Sequence, residues 1–262
     1  MGQLEQVTTQ KRRLPPRIVI HGTGGVGKTT MMAKVPGIVV LPAEEGEGIL
    51  EYPTFPKPQS YADVMGALGE LATGDHPYKA LGIDTIDHIE PLVWAAVCAD
   101  RSGKQVYENI EDFGYAKGYI YADPYWIEFF QALDALRRRG MLVMALCHNR
   151  RKTVQDPMVG PHDRFEPKLH DRAVSLLYEW ADVVGFLDIE RTQVEIEGSS
   201  GRKTLTAAAT GQRRLHLEDR GSFRAKNRYD LPPVIEIPKE NPYGPLRDEI
   251  AKSMGLAKKE AA

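Results

Sequence analysis

The sequence predicts an α/β fold, a mostly parallel sheet flanked by helices with antiparallel strands at its C-terminal edge. Three observations carry this. Short apolar runs at 18–20, 38–41, 81–83 and 141–147 alternate with stretches of helical periodicity, as buried parallel strands and their crossover helices do. The first run leads into Gly22-Thr23-Gly24-Gly25-Val26-Gly27-Lys28-Thr29, which fits G-x-x-x-x-G-K-[ST] at every fixed position and sits between strand and helix. From Thr192 onward the period moves towards two, at 203–206 and 234–237, with a hairpin turn expected at 198–201.

The chain of 262 residues suits one large domain at 17–240, with a flexible arm at 1–16 and a helix and charged tail at 241–262. Hydrophobic content of 42% and charged content of 27% are those of an ordinary globular protein. Net charge is −2, so a nucleic-acid surface must be a local patch. Cys98 and Cys147 both lie in apolar runs and read as buried free thiols of a reducing cytoplasm. No run approaches the roughly 18 apolar residues of a membrane span, and residues 1–13 have no signal-peptide core, so no membrane partner is expected.

The elements follow in order. Pro36-Gly37 cuts short the helix after the phosphate loop. The strand at 38–41 is followed by Glu44-Glu45-Gly46, and the proline-rich 52–58 must be loop. Tyr61, Val64, Met65, Leu68 and Leu71 fall at helical spacing. The strand at 81–83 ends in Asp84, and 91–100 reads as an apolar helix. Residues 101–124 are broken by glycines and interleaved with Tyr107, Phe113, Tyr115, Tyr119 and Tyr121, the pattern of a long functional loop. Trp126, Phe129, Phe130, Leu133 and Leu136 mark the next helix, whose Arg137-Arg138-Arg139-Gly140 is a helix-end feature. The strand at 141–147 is followed by a polar loop at 149–168, an amphipathic helix at 169–180 and a strand at 183–189.

The phosphate loop dictates the chemistry. Its glycines adopt backbone angles closed to other residues, so the N–H groups from Gly22, Thr23, Gly24, Gly25, Val26, Gly27 and onward through Thr30 can surround phosphate oxygens. Lys28 reaches the β- and γ-phosphates, and the Thr29 hydroxyl ligates Mg²⁺. ATP with Mg²⁺ is therefore the expected ligand. A carboxylate closing the strand beside the loop strand should hold the metal's water shell, and Asp84 fits, 56 residues beyond Lys28, with Asp87 as its competitor. Glu44, or its neighbour Glu45, stands past a strand end where it can orient the attacking water. His148 stands at another strand end, where it can sense the γ-phosphate and pass its presence to the next loop. A zinc site on Cys147, His162 or His170 lacks any pair at ligand spacing.

In this order of parts the chain resembles the RecA-like ATPases, most closely the phage-encoded nucleotide-binding and single-strand annealing recombinases. The resemblance covers about 17–238. It rests on the segment from Pro36 to Gly46, on Leu81-Gly82-Ile83-Asp84-Thr85, on Ala145-Leu146-Cys147-His148, on the block from Asp163 to Asp182, and on Ala225-Lys226-Asn227-Arg228-Tyr229-Asp230-Leu231-Pro232. It implies Glu44 as the catalytic glutamate. It implies that Lys226 and Arg228 reach a neighbouring subunit's γ-phosphate, and their alternate spacing would aim both the same way. It also implies two DNA-binding loops, at 101–122 and 150–168, with Lys104, Lys117, Arg150, Arg151, Lys152, Arg164 and Lys168 as candidate contacts and aromatics for base stacking. The implied partners are single-stranded DNA, further copies of the chain in a filament or ring with ATP at the interface, and a single-strand-binding protein, in the cytoplasm of a bacterial host. The implied activity is DNA-stimulated ATP hydrolysis that drives annealing or homologous pairing. The N-terminal polymerisation helix and C-terminal DNA-gathering domain of bacterial RecA have no counterpart here. A helicase-type motor and a nucleotide-gated interaction protein that binds no DNA use the same core and stay open.

Overall fold

The computed structural model describes residues 14–45, 50–103, 105–197 and 203–256, with the backbone alone between 193 and 210. In chain order the elements are β1 (Arg17–Gly22), α1 (Lys28–Met32), β2 (Ile38–Pro42), α2 (Tyr61–Thr73), β3 (Ala80–Asp84), α3 (Glu90–Arg101), α4 (Lys117–Tyr121), α5 (Asp123–Arg138), β4 (Leu142–Asp156), β5 (Gly160–Pro167), α6 (Asp171–Trp180), β6 (Val183–Glu197), β7 (Lys203–His216), β8 (Lys226–Asn227), β9 (Val234–Ile237) and α7 (Gly244–Ser253). They build an α/β core on one mixed sheet of order β2-β3-β4-β1-β6-β7-β9, with β5 paired to β4 and β8 to β6.

The pairs β2/β3, β3/β4, β4/β1 and β1/β6 are parallel, and every pairing of β5, β7, β8 or β9 is antiparallel. Alternation along the central strands sorts the core into two layers, as a period of two requires. Val19, Val143, Ala145 and Cys147 face α2, α3, α5 and α6. Ile18, Ile20, Met144 and Leu146 face the α1 and α7 side. Gly82 lies where α1 crosses β3; a Cβ there would meet Met32 Sδ at 2.5 Å, so glycine permits that close approach. On α5, Trp126, Phe129, Phe130, Leu133 and Leu136 are all buried. Each contributes roughly 1.5–3 kcal/mol of apolar transfer.

The structure revises the sequence reading in several places. Asp84 does not end the strand beside the loop strand: β4 lies between β3 and β1, so this carboxylate arrives from one strand further away. The supposed polar loop at 149–168 is a β-hairpin. β4 continues past the sheet to Asp156 and returns as β5, paired from Asn149↔Pro167 to Asp156↔Gly160. Turn chemistry at 157–160 supplies the reversal, and the strands' polar faces hide them from a search for apolar runs. Residues 101–124 are more structured than a loop. A 3-10 turn (Ile110–Phe113) and α4 pack on α3, with Ile110 buried and Tyr107 stacked on Phe113 at 4.0 Å. The helix in the supposed tail, α7, is part of the core, with Leu246 and Ile250 buried. The turn expected at 198–201 lies outside the described residues; β6 and β7 pair as far as Glu197↔Lys203. The arginine run caps another helix: Arg139 donates to the carbonyls of Leu71 and Gly74 at the end of α2.

Candidate functional site

The parallel strands present their C-terminal ends along one edge, and the chemistry collects there, as the α/β topology dictates. Gly22, the last residue of β1, is level with His148 on β4, and Pro42 of β2 is level with Asp84 of β3. The loop from β1 places Gly25 and Gly27 at φ 74° and 102°, angles that favour glycine. A Cβ on Gly24 or Gly25 would meet nothing within 4 Å, so that side of the loop is open for a phosphate. Val26 turns its side chain into the core, contributing only its backbone. A cavity of about 740 Å³ opens over Gly24, Lys28, Thr29, Thr30, Glu44 and Asp84.

Lys28 is buried, and its Nζ donates to the carbonyls of Gly22 at 2.9 Å and Thr23 at 3.0 Å, which holds the amine inside the loop. Burial lowers its pKa against the pull of Asp84 and more distant acids. The Thr29 hydroxyl donates to Asp84 Oδ2 at 2.8 Å. Burial raises the Asp84 pKa, and the Thr29 hydrogen bond opposes that. A hydroxyl and a carboxylate in contact at the mouth of a phosphate loop are the hard oxygen donors that Mg²⁺ takes. The loop and this pair therefore fit a nucleoside triphosphate with Mg²⁺.

Around the pair stands a second group of side chains. The carbonyl of Asp84 accepts from the N–H of Ala43 at 2.7 Å and of Glu44 at 3.1 Å, which pins the segment after β2 against the end of β3. Glu44 Oε2 lies 3.5 Å from the Thr85 hydroxyl and 3.8 Å from both His148 Nε2 and His88 Nδ1. Glu45 points away to Lys57, at 3.0 Å. Asp87, the alternative carboxylate, is turned away from Thr29. It accepts from the His148 ring Nδ1 and backbone N–H, both at 3.0 Å. Burial opposes its ionisation, but these bonds prevail and hold Asp87 well below the usual carboxylate range. The same bond raises the His148 pKa. The Asp84–Thr85 peptide bond is cis.

Two residues of this neighbourhood escaped the sequence reading. His88 sits in the turn past β3, four residues from Asp84 and with no partner at local ligand spacing. Arg213, from β7, packs its guanidinium on Gly27: a Cβ there would lie 3.2 Å from Arg213 Nε, which is buried without a hydrogen-bond partner. Only the antiparallel return of β7 brings it to the loop.

The other predicted site residues lie elsewhere. Lys226 and Arg228 stand at the opposite end of the sheet, where β8 meets the start of β6 at Val184↔Lys226. Lys226 donates to the Tyr178 carbonyl and Arg228 to the Glu179 carbonyl, at the C-terminal end of α6. The two do point the same way, but away from their own phosphate loop. The hairpin cations are held by acids of the same region. The buried Glu166 takes Arg150 at 2.8 Å, Lys152 at 3.6 Å and Arg164 at 3.3 Å; Asp163 takes Arg151 at 3.4 Å. Asp171 adds a second partner to Arg150 and Lys152. Lys117 lies over the exposed Tyr115 ring, and Lys168 is exposed. Lys104 lies outside the described residues. No helix among the described residues is long and apolar enough to cross a membrane.

Residues 14–229 match the model of a family described as an AAA domain. No curated protein matches the chain. Among solved structures it is similar to the flagellar accessory protein FlaH from Methanocaldococcus jannaschii, at 9% identity over 86% of each chain and a TM-score of 0.41. The family match spans the phosphate loop, Glu44, Asp84, His148 and the Lys226/Arg228 pair, and the chain therefore belongs to this AAA domain family of P-loop ATPases.

Proposed function

We propose that the chain hydrolyses ATP and uses the cycle to control its grip on single-stranded DNA, in annealing or homologous pairing of the kind found in phage recombination. Lys28 and the loop N–H groups bind the phosphates. Thr29 and Asp84 would hold Mg²⁺, which would screen phosphate charge. Glu44 accepts a proton from the attacking water. The observation that carries the coupling is the continuity of β4: one strand holds His148 beside Glu44 and then runs out as the hairpin. A change at His148 thereby reaches a projecting ribbon through a rigid element. The hairpin tip exposes Met158 at 90% and Val159 at 75%, and Tyr115 is 95% exposed, so apolar and aromatic groups are available to bases. Lys226 and Arg228 act on the ATP of a neighbouring copy in an oligomer. Lys28→Ala removes nucleotide binding and turnover. The test is ATPase rate and DNA affinity across salt: single-stranded DNA should raise wild-type turnover, and affinity should fall steeply as salt rises. DNA-independent turnover with no salt-sensitive binding overturns the reading.

One observation favours a second reading, a nucleotide-gated ATPase whose hairpin grips a protein. The hairpin's cations are largely matched by Glu166, Asp163 and Asp171, while its tip is apolar. Retained turnover with binding to a protein partner and none to DNA would select it.

A further inference from the structure

The Glu44, His88 and His148 side chains converge from the segment after β2, the turn after β3 and the end of β4. One ligand atom from each lies within 4.8 Å of the others, and Glu44 Oε2 is 3.8 Å from both histidine nitrogens. Bonds of about 2.1 Å at tetrahedral angles put donor atoms about 3.4 Å apart. A contraction of a few tenths of an ångström would bring Glu44 to that separation from each histidine. The orientation is also prepared. Asp87 takes the Nδ1–H of His148 at 3.0 Å, so in the neutral ring Nε2 is the nitrogen with the free lone pair and it faces Glu44, and the His148 backbone N–H fixes the other Asp87 oxygen. A carboxylate holding the far nitrogen of a histidine is the outer arrangement that metal-binding histidines carry. His88 Nδ1 contacts the Thr85 hydroxyl at 2.8 Å, and that hydroxyl can turn to Glu44 Oε2 when the nitrogen is engaged.

We propose that Glu44, His88 and His148 form a binding site for a divalent transition-metal ion of the zinc class, separate from the oxygen-only Mg²⁺ position at Thr29 and Asp84. Two imidazoles and one carboxylate suit a borderline-soft cation and disfavour Mg²⁺ and Ca²⁺. The ion draws on Glu44, so its binding withdraws the carboxylate from water activation and stops turnover. That last consequence rests on the catalytic role proposed for Glu44; the binding itself does not.

The test uses untagged full-length protein. Zn²⁺ is titrated against a chromogenic chelator without nucleotide, for wild type, His88→Ala and Asp87→Asn, each checked for an unchanged thermal midpoint or compared at a temperature where all are folded. One equivalent should bind wild type. His88→Ala should weaken binding at least 10-fold, and Asp87→Asn by roughly 10–100-fold. A 100-fold excess of Mg²⁺ should not displace the ion. Equal Zn²⁺ affinity in wild type and His88→Ala, or no binding at micromolar Zn²⁺, overturns the site. ATPase is then measured at fixed Mg²⁺–ATP, each protein against its own zinc-free rate. Inhibition of wild type that is relieved in His88→Ala supports the coupling to Glu44. Full zinc binding with undiminished turnover overturns that coupling alone. A wild type with no turnover defeats the proposed ATPase function while the chelator titration still decides the site.

Discussion

Lys226 and Arg228 can serve an ATP site only if that site belongs to another copy of the chain. Lys226 is level with Val184, and Val184 with Val19, three residues below Gly22 on β1. At about 3.3 Å per residue the amine's own strand position lies roughly 10 Å below the start of the phosphate loop, and Arg228 lies further down. Both side chains also point to the α6 carbonyls of Tyr178 and Glu179. The double change Lys226→Ala with Arg228→Ala should therefore leave nucleotide binding intact. Turnover should fall by about 10³-fold or more if the pair acts as a finger in trans. Mixing decides the geometry. Lys28→Ala subunits have a dead loop and intact cations; the double variant has the reverse. Random 1:1 assembly gives about a quarter of interfaces one intact loop facing one intact pair. The assay is steady-state phosphate release from the mixture, with each variant alone as baseline. Recovery near a quarter of wild-type turnover is the expected result. A mixture no more active than its components, or a double variant with wild-type turnover, refutes the trans assignment.

Three further outcomes follow from the described contacts. Asp182 is 5% exposed and holds Arg17 at 2.9 Å and Arg137 at 3.2 Å, so Asp182→Ala should cost about 3 kcal/mol and lower the thermal midpoint by roughly 6–12 °C. An unchanged midpoint would mean these arginines find other partners. Glu90 is buried and accepts the His170 N–H at 2.9 Å; burial pushes its pKa up to about 7 from 4.5. The folded chain then holds a proton that the unfolded chain loses, so stability falls as pH rises from about 4.5 to 7, on the order of 3 kcal/mol in all. Glu90→Gln should raise the midpoint at pH 8 and change it little at pH 4.5, and equal shifts at both would count against a titration. Arg213→Ala, which removes the guanidinium beside Gly27 whose buried Nε has no hydrogen-bond partner, should weaken nucleotide binding by roughly 10-fold or more, the loss of a charged hydrogen bond; an unaltered isotherm would make the arginine a packing residue.

The central strands and most helices were legible because burial writes itself into short apolar runs and helical spacing. The phosphate loop was legible because its chemistry needs glycines, a lysine and a hydroxyl in one uninterrupted segment. In the sequence Asp84 differs from Asp87 only by position; in the fold Asp84 accepts from the Thr29 hydroxyl while Asp87 turns to His148. The hairpin of β4 and β5 has a loop's sequence because it is largely polar on both faces, with ion pairs to Glu166, Asp163 and Asp171 and apolar packing mainly at Phe165. His88 and Arg213 were invisible for another reason: each acquires its neighbours from strands far away in the chain.

The sequence by itself determined the α/β class, the nucleotide loop and the strand-end acids, because each is a local pattern with a local physical cause. Tertiary structure alone decided that β4 lies between β1 and β3. That insertion puts His148 beside Glu44, draws His88 and Asp87 around it, and leaves Lys226 and Arg228 at the far end of the sheet. Strand order depends on which apolar faces pack together across long loops, and no window of sequence encodes that choice.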